Sequence, residues 1–90
     1  MSLVKVEKPN ARRIDELKIK TWPVWEKGIS RFEWSYEEKE VCYFLEGAAS
    51  VECPDGSVVS FGKGDLVTFP EGLKCTWDIQ KPVRKHYCFG

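Results

Sequence analysis

The stretch of residues 64–77, GDLVTFPEGLKCTW, places two short apolar runs on either side of a chain break. The first run, Leu66–Phe69, is rich in residues that favour β-strands. A Pro-Glu-Gly segment then interrupts it, because proline lacks an N–H and glycine tolerates a positive φ. A second strand is predicted over residues 73–79. Side chains alternate along a strand, so Cys75 and Trp77 are expected on one face, pointing into whatever the sheet encloses.

Similar short runs, separated by turn-forming residues, occupy most of the remaining chain. Gly47 and the Lys81-Pro82 pair are each predicted to end a strand. The predicted strand that contains Pro23 is expected at the edge of a sheet, since proline has no N–H to donate to the hydrogen bonds of a central strand. Many short strands with frequent turns favour an all-β sandwich or barrel. The further predicted strands cover residues 3–7, 19–25, 29–36, 40–46, 48–53, 57–61 and 83–89.

One short helix is predicted near the start of the chain. Asn10 is a good N-cap, and residues 11–17 can form about two turns with Ile14 and Leu17 on one face. So short a helix is marginal by itself, and we therefore expect it to dock on the sheet.

Composition limits the classes of function. Ninety residues correspond to one domain, and fourteen basic side chains balance fourteen acidic ones without a block of one sign. No nucleic-acid partner is therefore expected. No apolar N-terminal run suggests a signal peptide or membrane span, so we expect a cytoplasmic protein without a membrane partner. The four cysteines show neither CxxC nor zinc-finger spacing. In a cytosolic protein we expect them to be reduced thiols, with a disulfide framework as the alternative.

Two sets of residues resemble the conserved motifs of the cupins. The second motif is matched within residues 64–75, and the first lies upstream in the correct order. The resemblance implies one cupin domain over residues 1–90: a jelly-roll-like β-barrel with a short N-terminal helix. The segments LEG, GDLVTFPEGLKCTW and KHY also resemble the small single-domain cupins grouped with ureidoglycine aminohydrolase. The residues that match the two motifs are Gly28, Trp34, Tyr36, Glu40 and Gly47, followed by Gly64, Pro70, Gly72 and Cys75.

The resemblance also raises the question of a metal. In metal-binding cupins the positions of Trp34, Tyr36 and Cys75 carry histidine, and that of Glu40 carries a carboxylate ligand. A catalytic metal needs about three suitable protein ligands. Here only Glu40 and Cys75 ligate well, and the remaining candidates are His86, Cys42 and Cys88. We therefore expect no metal cofactor, and name Glu40 and Cys75 as the ligands if one binds.

Glu40 and Cys75 are the candidate catalytic residues. A glutamate inside an aromatic pocket has a raised pKa, which suits a general acid or base. The alternative is a carboxylate paired with Lys85 or Arg84. A thiol at position 75 is a nucleophile if a base or cation lowers its pKa, and otherwise a small buried apolar residue.

The last strand can turn either of two sets of side chains inward. One set is Lys85 and Tyr87, and the other is Arg84, His86 and Cys88. We favour the first, because Phe89 matches Tyr87 in being large and apolar. This choice gives a Lys–Glu–Tyr set able to bind a carboxylate or to transfer protons. Candidate ligand-binding residues are then Trp34, Tyr36, Cys42, Trp77, Lys85 and Tyr87, although the aromatic rings could equally fill the core of a small barrel.

Three functions remain open from the sequence. The leading interpretation is a cupin that binds a small organic molecule, with Glu40 available for metal-independent acid–base chemistry. The second is a metal-dependent enzyme like ureidoglycine aminohydrolase, acting on a small nitrogen-rich substrate. The third is a partner-binding module without catalysis. A homodimer is also expected, because both faces of the predicted strand at residues 40–46 are apolar.

Overall fold

The computed structural model describes residues 4–90, which form seven β-strands, one α-helix and one 3₁₀ helix. The all-β prediction is confirmed. The helix α1 is Ala11–Glu16 and the 3₁₀ helix is Ile19–Thr21. The strands are β1 Lys5–Glu7, β2 Val24–Lys27, β3 Ser30–Ser35, β4 Glu40–Glu52, β5 Val58–Gly62, β6 Leu66–Phe69 and β7 Lys74–Phe89.

All strand pairs are antiparallel, and they follow the order β1-β6-β4-β7-β2. The two long strands β4 and β7 form the centre and change their outer partners along their length. Strand β4 pairs first with β6 and then with β5, while β7 pairs first with β3 and then with β2. The inner faces of these strands therefore enclose one core.

The two long strands correct two sequence predictions. Gly47 and Pro82 were expected to end strands, but the chain continues through both positions. Gly47 has a φ of +102°, and a Cβ placed there would lie 2.4 Å from the carbonyl oxygen of Pro82. The β4–β7 register shifts between Phe44 and Ala49. A glycine bulge therefore bends the strand pair without interrupting it.

The segment at residues 19–25 is also different from its prediction as one strand. Its first part is the 3₁₀ helix, and β2 begins only at Val24, after Pro23. The residue before a proline is driven to extended backbone, which Trp22 adopts with a ψ of 151°. The expected edge position is confirmed, since β2 lies at one end of the sheet order.

The predicted N-cap is confirmed, since the side-chain oxygen of Asn10 accepts a hydrogen bond from the N–H of Arg13 at 2.9 Å. Residue 3, assigned to the first predicted strand, lies outside the described residues.

No helix among residues 4–90 is long and apolar enough to cross a membrane.

The core is built largely from aromatic rings. Trp77 is buried at its centre, and its ring centroid lies 5.3 Å from that of Phe61 and 5.5 Å from that of Phe69. Phe32 stacks on Trp77 at 6.0 Å with an interplanar angle of 6°. These contacts fix the position of Trp77, which also forms part of the candidate site.

Candidate functional site

A buried ion pair lies at the floor of an aromatic pocket. Glu40 is the first residue of β4, and Lys85 lies near the end of β7. The Nζ atom of Lys85 is 3.6 Å from Oε2 of Glu40, and the lysine and glutamate are only 4% and 5% exposed. Isolated charges are costly to bury, so each of these two groups is stabilised by the other inside the protein.

Further contacts hold the ammonium group of Lys85 in place. Its Nζ donates a hydrogen bond to Sγ of Cys42 at 3.2 Å. It also lies 4.8 Å from the ring centroid of Trp25 and 5.0 Å from that of Trp77. Cation–π contacts at this distance stabilise a cation that has lost water. The position of Lys85 is therefore fixed by an acid, a thiol and two rings.

Cys42 lies beside this lysine as a neutral thiol. Burial raises the pKa of Cys42 to about 12, although the charge of Lys85 acts in the opposite direction. Since the thiol stays protonated at neutral pH, it accepts the hydrogen bond from Lys85 without neutralising its charge. The charge balance of the floor is therefore set by Glu40 and Lys85.

The pocket above the ion pair encloses about 180 Å³. Its walls are almost entirely aromatic, and two of the rings stand at an exposed rim: Trp34 is 49% exposed and Phe89 is 52% exposed. Phe32 connects rim to core, because it meets Trp34 edge-on and stacks on Trp77. The lining residues are Trp25, Phe32, Trp34, Tyr36, Glu40, Trp77, Lys85, Tyr87 and Phe89.

Tyr36 adds a polar atom to the wall. Its hydroxyl oxygen accepts a hydrogen bond from Nε1 of Trp77 at 3.2 Å, and its ring stacks on Phe69 with centroids 4.8 Å apart. Burial, with smaller contributions from Cys42 and Glu40, raises the pKa of Tyr36 far above its usual value. The phenol is therefore neutral and keeps its own proton for donation.

The structure brings most of the candidate site residues together. Six of them line the pocket: Trp34, Tyr36, Glu40, Trp77, Lys85 and Tyr87. Cys42 is not a lining residue and lies behind the floor, in contact with Lys85.

Cys75 is on the same inner face as Trp77, as expected, but it does not line the pocket. Its thiol is influenced by Cys53 rather than by Glu40: burial raises the pKa of Cys75 to about 11, and Cys53 adds to the shift. The catalytic role expected for Cys75 required a base or cation that lowers its pKa, whereas burial and Cys53 raise that pKa.

The last strand turns Lys85 and Tyr87 toward the pocket. Arg84 is directed outward, with Nε 3.2 Å from Oε1 of Glu26. Nδ1 of His86 lies 2.9 Å from the carbonyl oxygen of Trp22. Of the two partners left open for Glu40, Lys85 is therefore the one that the structure provides.

Three pocket residues were missing from the sequence-based set. Phe32 and Trp34 are two residues apart in β3, and so are Tyr87 and Phe89 in β7. Residues two apart share a face of a strand, so periodicity alone could have identified Phe32 and Phe89. Trp25 comes from a separate strand and reaches the pocket because it stands opposite Lys85 in the β2–β7 register. No local pattern gives that register.

The residues at the four cupin ligand positions do not fit a metal centre. Trp34 offers no ligand atom, the phenol of Tyr36 is held neutral, and Glu40 is paired with Lys85. Cys75 stands opposite Trp34 in the β3–β7 register, but burial and Cys53 raise the pKa of its thiol, which disfavours the thiolate that would bind a metal. Within residues 4–90 no group of three or more His, Cys, Asp or Glu side chains is placed to hold a metal ion.

Comparison with protein families gives a match to the EutQ-like cupin domain over residues 14–87. A DUF861 family protein from Thermotoga maritima is 49% identical, with a TM-score of 0.95, and the match covers 97% of this chain and 99% of that one. The EutQ protein of Clostridium difficile is 26% identical with a TM-score of 0.67, covering 73% of this chain and 52% of that one.

A more distant likeness is to an acireductone dioxygenase from Bacillus anthracis, whose structure has a cadmium ion in its active centre. It is 21% identical with a TM-score of 0.52, and the match covers 96% of this chain and 47% of that one. This likeness concerns the fold alone. A comparison with curated proteins found no significant match.

Proposed function

The chain belongs to the EutQ-like cupin family, and we propose that it uses this fold to bind one small, flat, neutral organic molecule carrying a carboxamide- or urea-like group. The observation that carries the proposal is the internally neutralised pair of Glu40 and Lys85 at the floor of an aromatic pocket.

The size of the pocket limits the ligand to about one aromatic ring with a small substituent. An apolar cavity of roughly 150 Å³ holds one benzene ring, and the volume here is about 180 Å³. The walls favour a flat molecule, because aromatic faces and edges stack on planar groups. The rim rings of Trp34 and Phe89 are exposed and would be covered by such a ligand.

The charges of the floor favour a neutral polar group. An anion would be attracted by Lys85 and repelled by Glu40. A cation would be attracted by Glu40 and repelled by Lys85. Either ion would lose its hydration for one favourable contact and one unfavourable contact. A carboxamide avoids this cost, because its oxygen accepts from Lys85 while its N–H donates to Glu40.

The same arrangement supports acid–base chemistry without a metal. Glu40 would take a proton from a bound N–H or activated C–H group, while Lys85 polarises the adjacent carbonyl oxygen. Tyr36 offers a further neutral donor at the wall. This catalytic step is the finer part of the proposal and depends on the ligand binding in the orientation described above.

The other two functions have less support from the site. A metal-dependent enzyme like ureidoglycine aminohydrolase needs ligands that positions 34, 36, 40 and 75, all within the described residues 4–90, do not bring together. A partner-binding role would use the exposed rings of Trp34 and Phe89. That interpretation does not explain the buried ion pair on the floor of the pocket below them.

We also propose a homodimer. The outer face of β4 carries Val41, Tyr43 and Leu45, which remain half-buried in the single chain. A second copy packed on this face would cover them. Sedimentation velocity tests the proposal directly: a single species with the mass of one chain contradicts it.

A panel of four benzene derivatives tests the binding proposal. Benzamide, benzoate, benzamidinium and toluene share one ring and differ in the group that reaches the floor. A ligand that binds only the folded state raises the melting temperature, so benzamide should give the largest shift. A larger shift with benzoate or benzamidinium would show that the floor is not neutral, and no shift with any of the four would remove the binding proposal.

A further inference from the structure

Cys53, the first residue after β4, lies close to Cys75 of the neighbouring strand β7 at the end of the barrel. The β4–β7 ladder pairs Val51 with Trp77 and Glu52 with Thr76. One step further along the same register places Cys53 opposite Cys75. The charge effect of Cys53 on Cys75 agrees with this proximity, and both side chains are buried in the same core cluster.

The peptide groups of Cys53 are turned away from β7. Its N–H donates to the carbonyl oxygen of Ser57 at 2.8 Å, and its carbonyl oxygen accepts from the N–H of Gly56 at 2.9 Å. Both bonds lie within the hairpin that leads to β5. In an antiparallel strand the N–H and C=O of one residue point to the same side, so both groups of Cys53 face the hairpin rather than β7.

The peptide groups of Cys75 are turned away from β4 in the same manner. The carbonyl oxygen of Leu73 accepts from the N–H of Tyr36 at 2.9 Å, toward β3. Two residues later Cys75 has the same orientation and stands opposite Trp34 in β3. Cys53 and Cys75 are therefore a non-hydrogen-bonded pair, for which Cα atoms lie about 4.5 Å apart. A disulfide spans roughly 4.4–6.8 Å between Cα atoms.

Two surface recesses reach the buried pair from outside the barrel. Cys53 lines a recess between the turn at Pro54 and the turn at Gly72, and a second recess that also reaches Cys75 and Trp34. It is the first residue after β4 and enters the turn of the hairpin. A small opening at this strand end would expose its sulfur to a small molecule.

We propose that Cys53 and Cys75 form a reversible cross-strand disulfide by exchange with a low-molecular-weight disulfide such as oxidised glutathione. The thiolate of Cys53 attacks one glutathione sulfur and releases one molecule of reduced glutathione. Cys75 then attacks the Cys53 sulfur of the mixed disulfide and releases the second. The two thiols are oxidised to one disulfide, and their protons and electrons leave in the two glutathione thiols.

The remaining cysteines are not placed to compete. Cys42 is held by Lys85 on the floor of the pocket. Cys88 stands opposite Val41, one position away from the pair Cys42 and Tyr87. Neighbouring positions of a strand face opposite sides of the sheet, so the thiols of Cys42 and Cys88 are separated by the sheet itself.

The test incubates the full chain with oxidised glutathione and maps its disulfides by mass spectrometry. Cleavage after Lys, Arg and Glu puts the four cysteines on four different peptides. The expected product is a linkage between the peptides of Cys53 and Cys75, with loss of two hydrogens from the intact mass and full reversal by dithiothreitol. This experiment needs only the wild-type chain, so its result does not depend on whether a variant folds.

Matched variants sharpen the result. Cys88→Ser should still form the linkage, whereas Cys53→Ala should show three thiols that react with a maleimide once the treated protein is unfolded. The disulfide should also raise the melting temperature, since it restricts the unfolded chain. A linkage that involves Cys42 or Cys88, a protein that stops at mixed glutathione adducts, or four unreacted thiols overturns the proposal. Because neither Cys53 nor Cys75 lines the aromatic pocket, this outcome is independent of the binding panel.

Discussion

Nζ of Lys85 lies 3.6 Å from Oε2 of Glu40 beneath the aromatic walls of the pocket. We expect Lys85→Met to destabilise the protein by about 3–5 kcal/mol, because it leaves a buried carboxylate without a partner. Adding Glu40→Leu should recover most of the loss, since an apolar pair of similar volume replaces the ions. Urea denaturation of the single and double variants measures both effects.

The matched control for this cycle is Arg84→Met. Arg84 is adjacent in β7 and pairs with Glu26 at the surface, so its loss should cost less than about 1 kcal/mol. Equal losses for Lys85→Met and Arg84→Met would show that the buried pair is no more important for stability than a surface pair.

Trp34 at the rim should contribute to binding and little to folding. Since it is half-exposed and lines the pocket, we expect Trp34→Ala to weaken benzamide binding by roughly tenfold, which corresponds to about 1.4 kcal/mol. The stability should change little. Ile29→Ala is the control, because Ile29 is 71% exposed and outside the pocket. Calorimetric titration of benzamide into the wild type and the two variants measures this difference. Equal affinities in all three would show that Trp34 does not contribute to the binding site.

The bulge at Gly47 should be intolerant of a side chain. A Cβ there would lie 2.4 Å from the carbonyl oxygen of Pro82, and the backbone is at a φ of +102°. Gly47→Ala should therefore cost more than about 1 kcal/mol of stability. Gly28→Ala is the control, since a Cβ at position 28 would meet no atom within 4 Å, and it should be neutral or slightly stabilising. If thermal melts show the two variants alike, the close approach of β4 and β7 at this bend is not present.

Stability should fall as the solution becomes alkaline. Burial raises the pKa of Cys42 from 9.0 to about 12, so the folded state keeps its proton while the unfolded state loses it. The contribution of this thiol is complete below pH 9 and is lost as the pH rises from 9 toward 12. Tyr36 acts in the same direction, because its pKa is also raised.

Melting temperatures between about pH 8 and pH 11 test this dependence, with Cys42→Val compared to Cys88→Val. Removing the buried thiol should flatten the alkaline loss, whereas replacing the half-buried Cys88 should leave it unchanged. Parallel curves for the two variants would count against a buried, protonated Cys42.

Much of the architecture could be predicted from the sequence, because strand periodicity and turn residues are local signals. Alternation along the last strand also indicated that Lys85 and Tyr87 share a face. The prediction that Gly47 and Pro82 end strands was wrong, since a glycine that begins a turn and a glycine that forms a bulge have the same local sequence. Only the partner strand distinguishes them.

The candidate site shows the same limit. Strand alternation predicted that Trp77 and Cys75 share the inner face. It did not predict which residues of other strands they contact. Register places Cys75 beside Cys53 and brings Trp25 opposite Lys85. These contacts join residues far apart in the chain, and no spacing within one strand contains that information.

Calorimetric titration of benzamide into the wild-type chain, before and after exhaustive treatment with a metal chelator, tests whether the pocket binds a neutral molecule without an ion. We expect one binding site per chain with the same affinity in both samples, because Glu40, Lys85 and the aromatic rings form the site by themselves. Binding that disappears after chelation, or the absence of measurable heat in both samples, would contradict the proposed function.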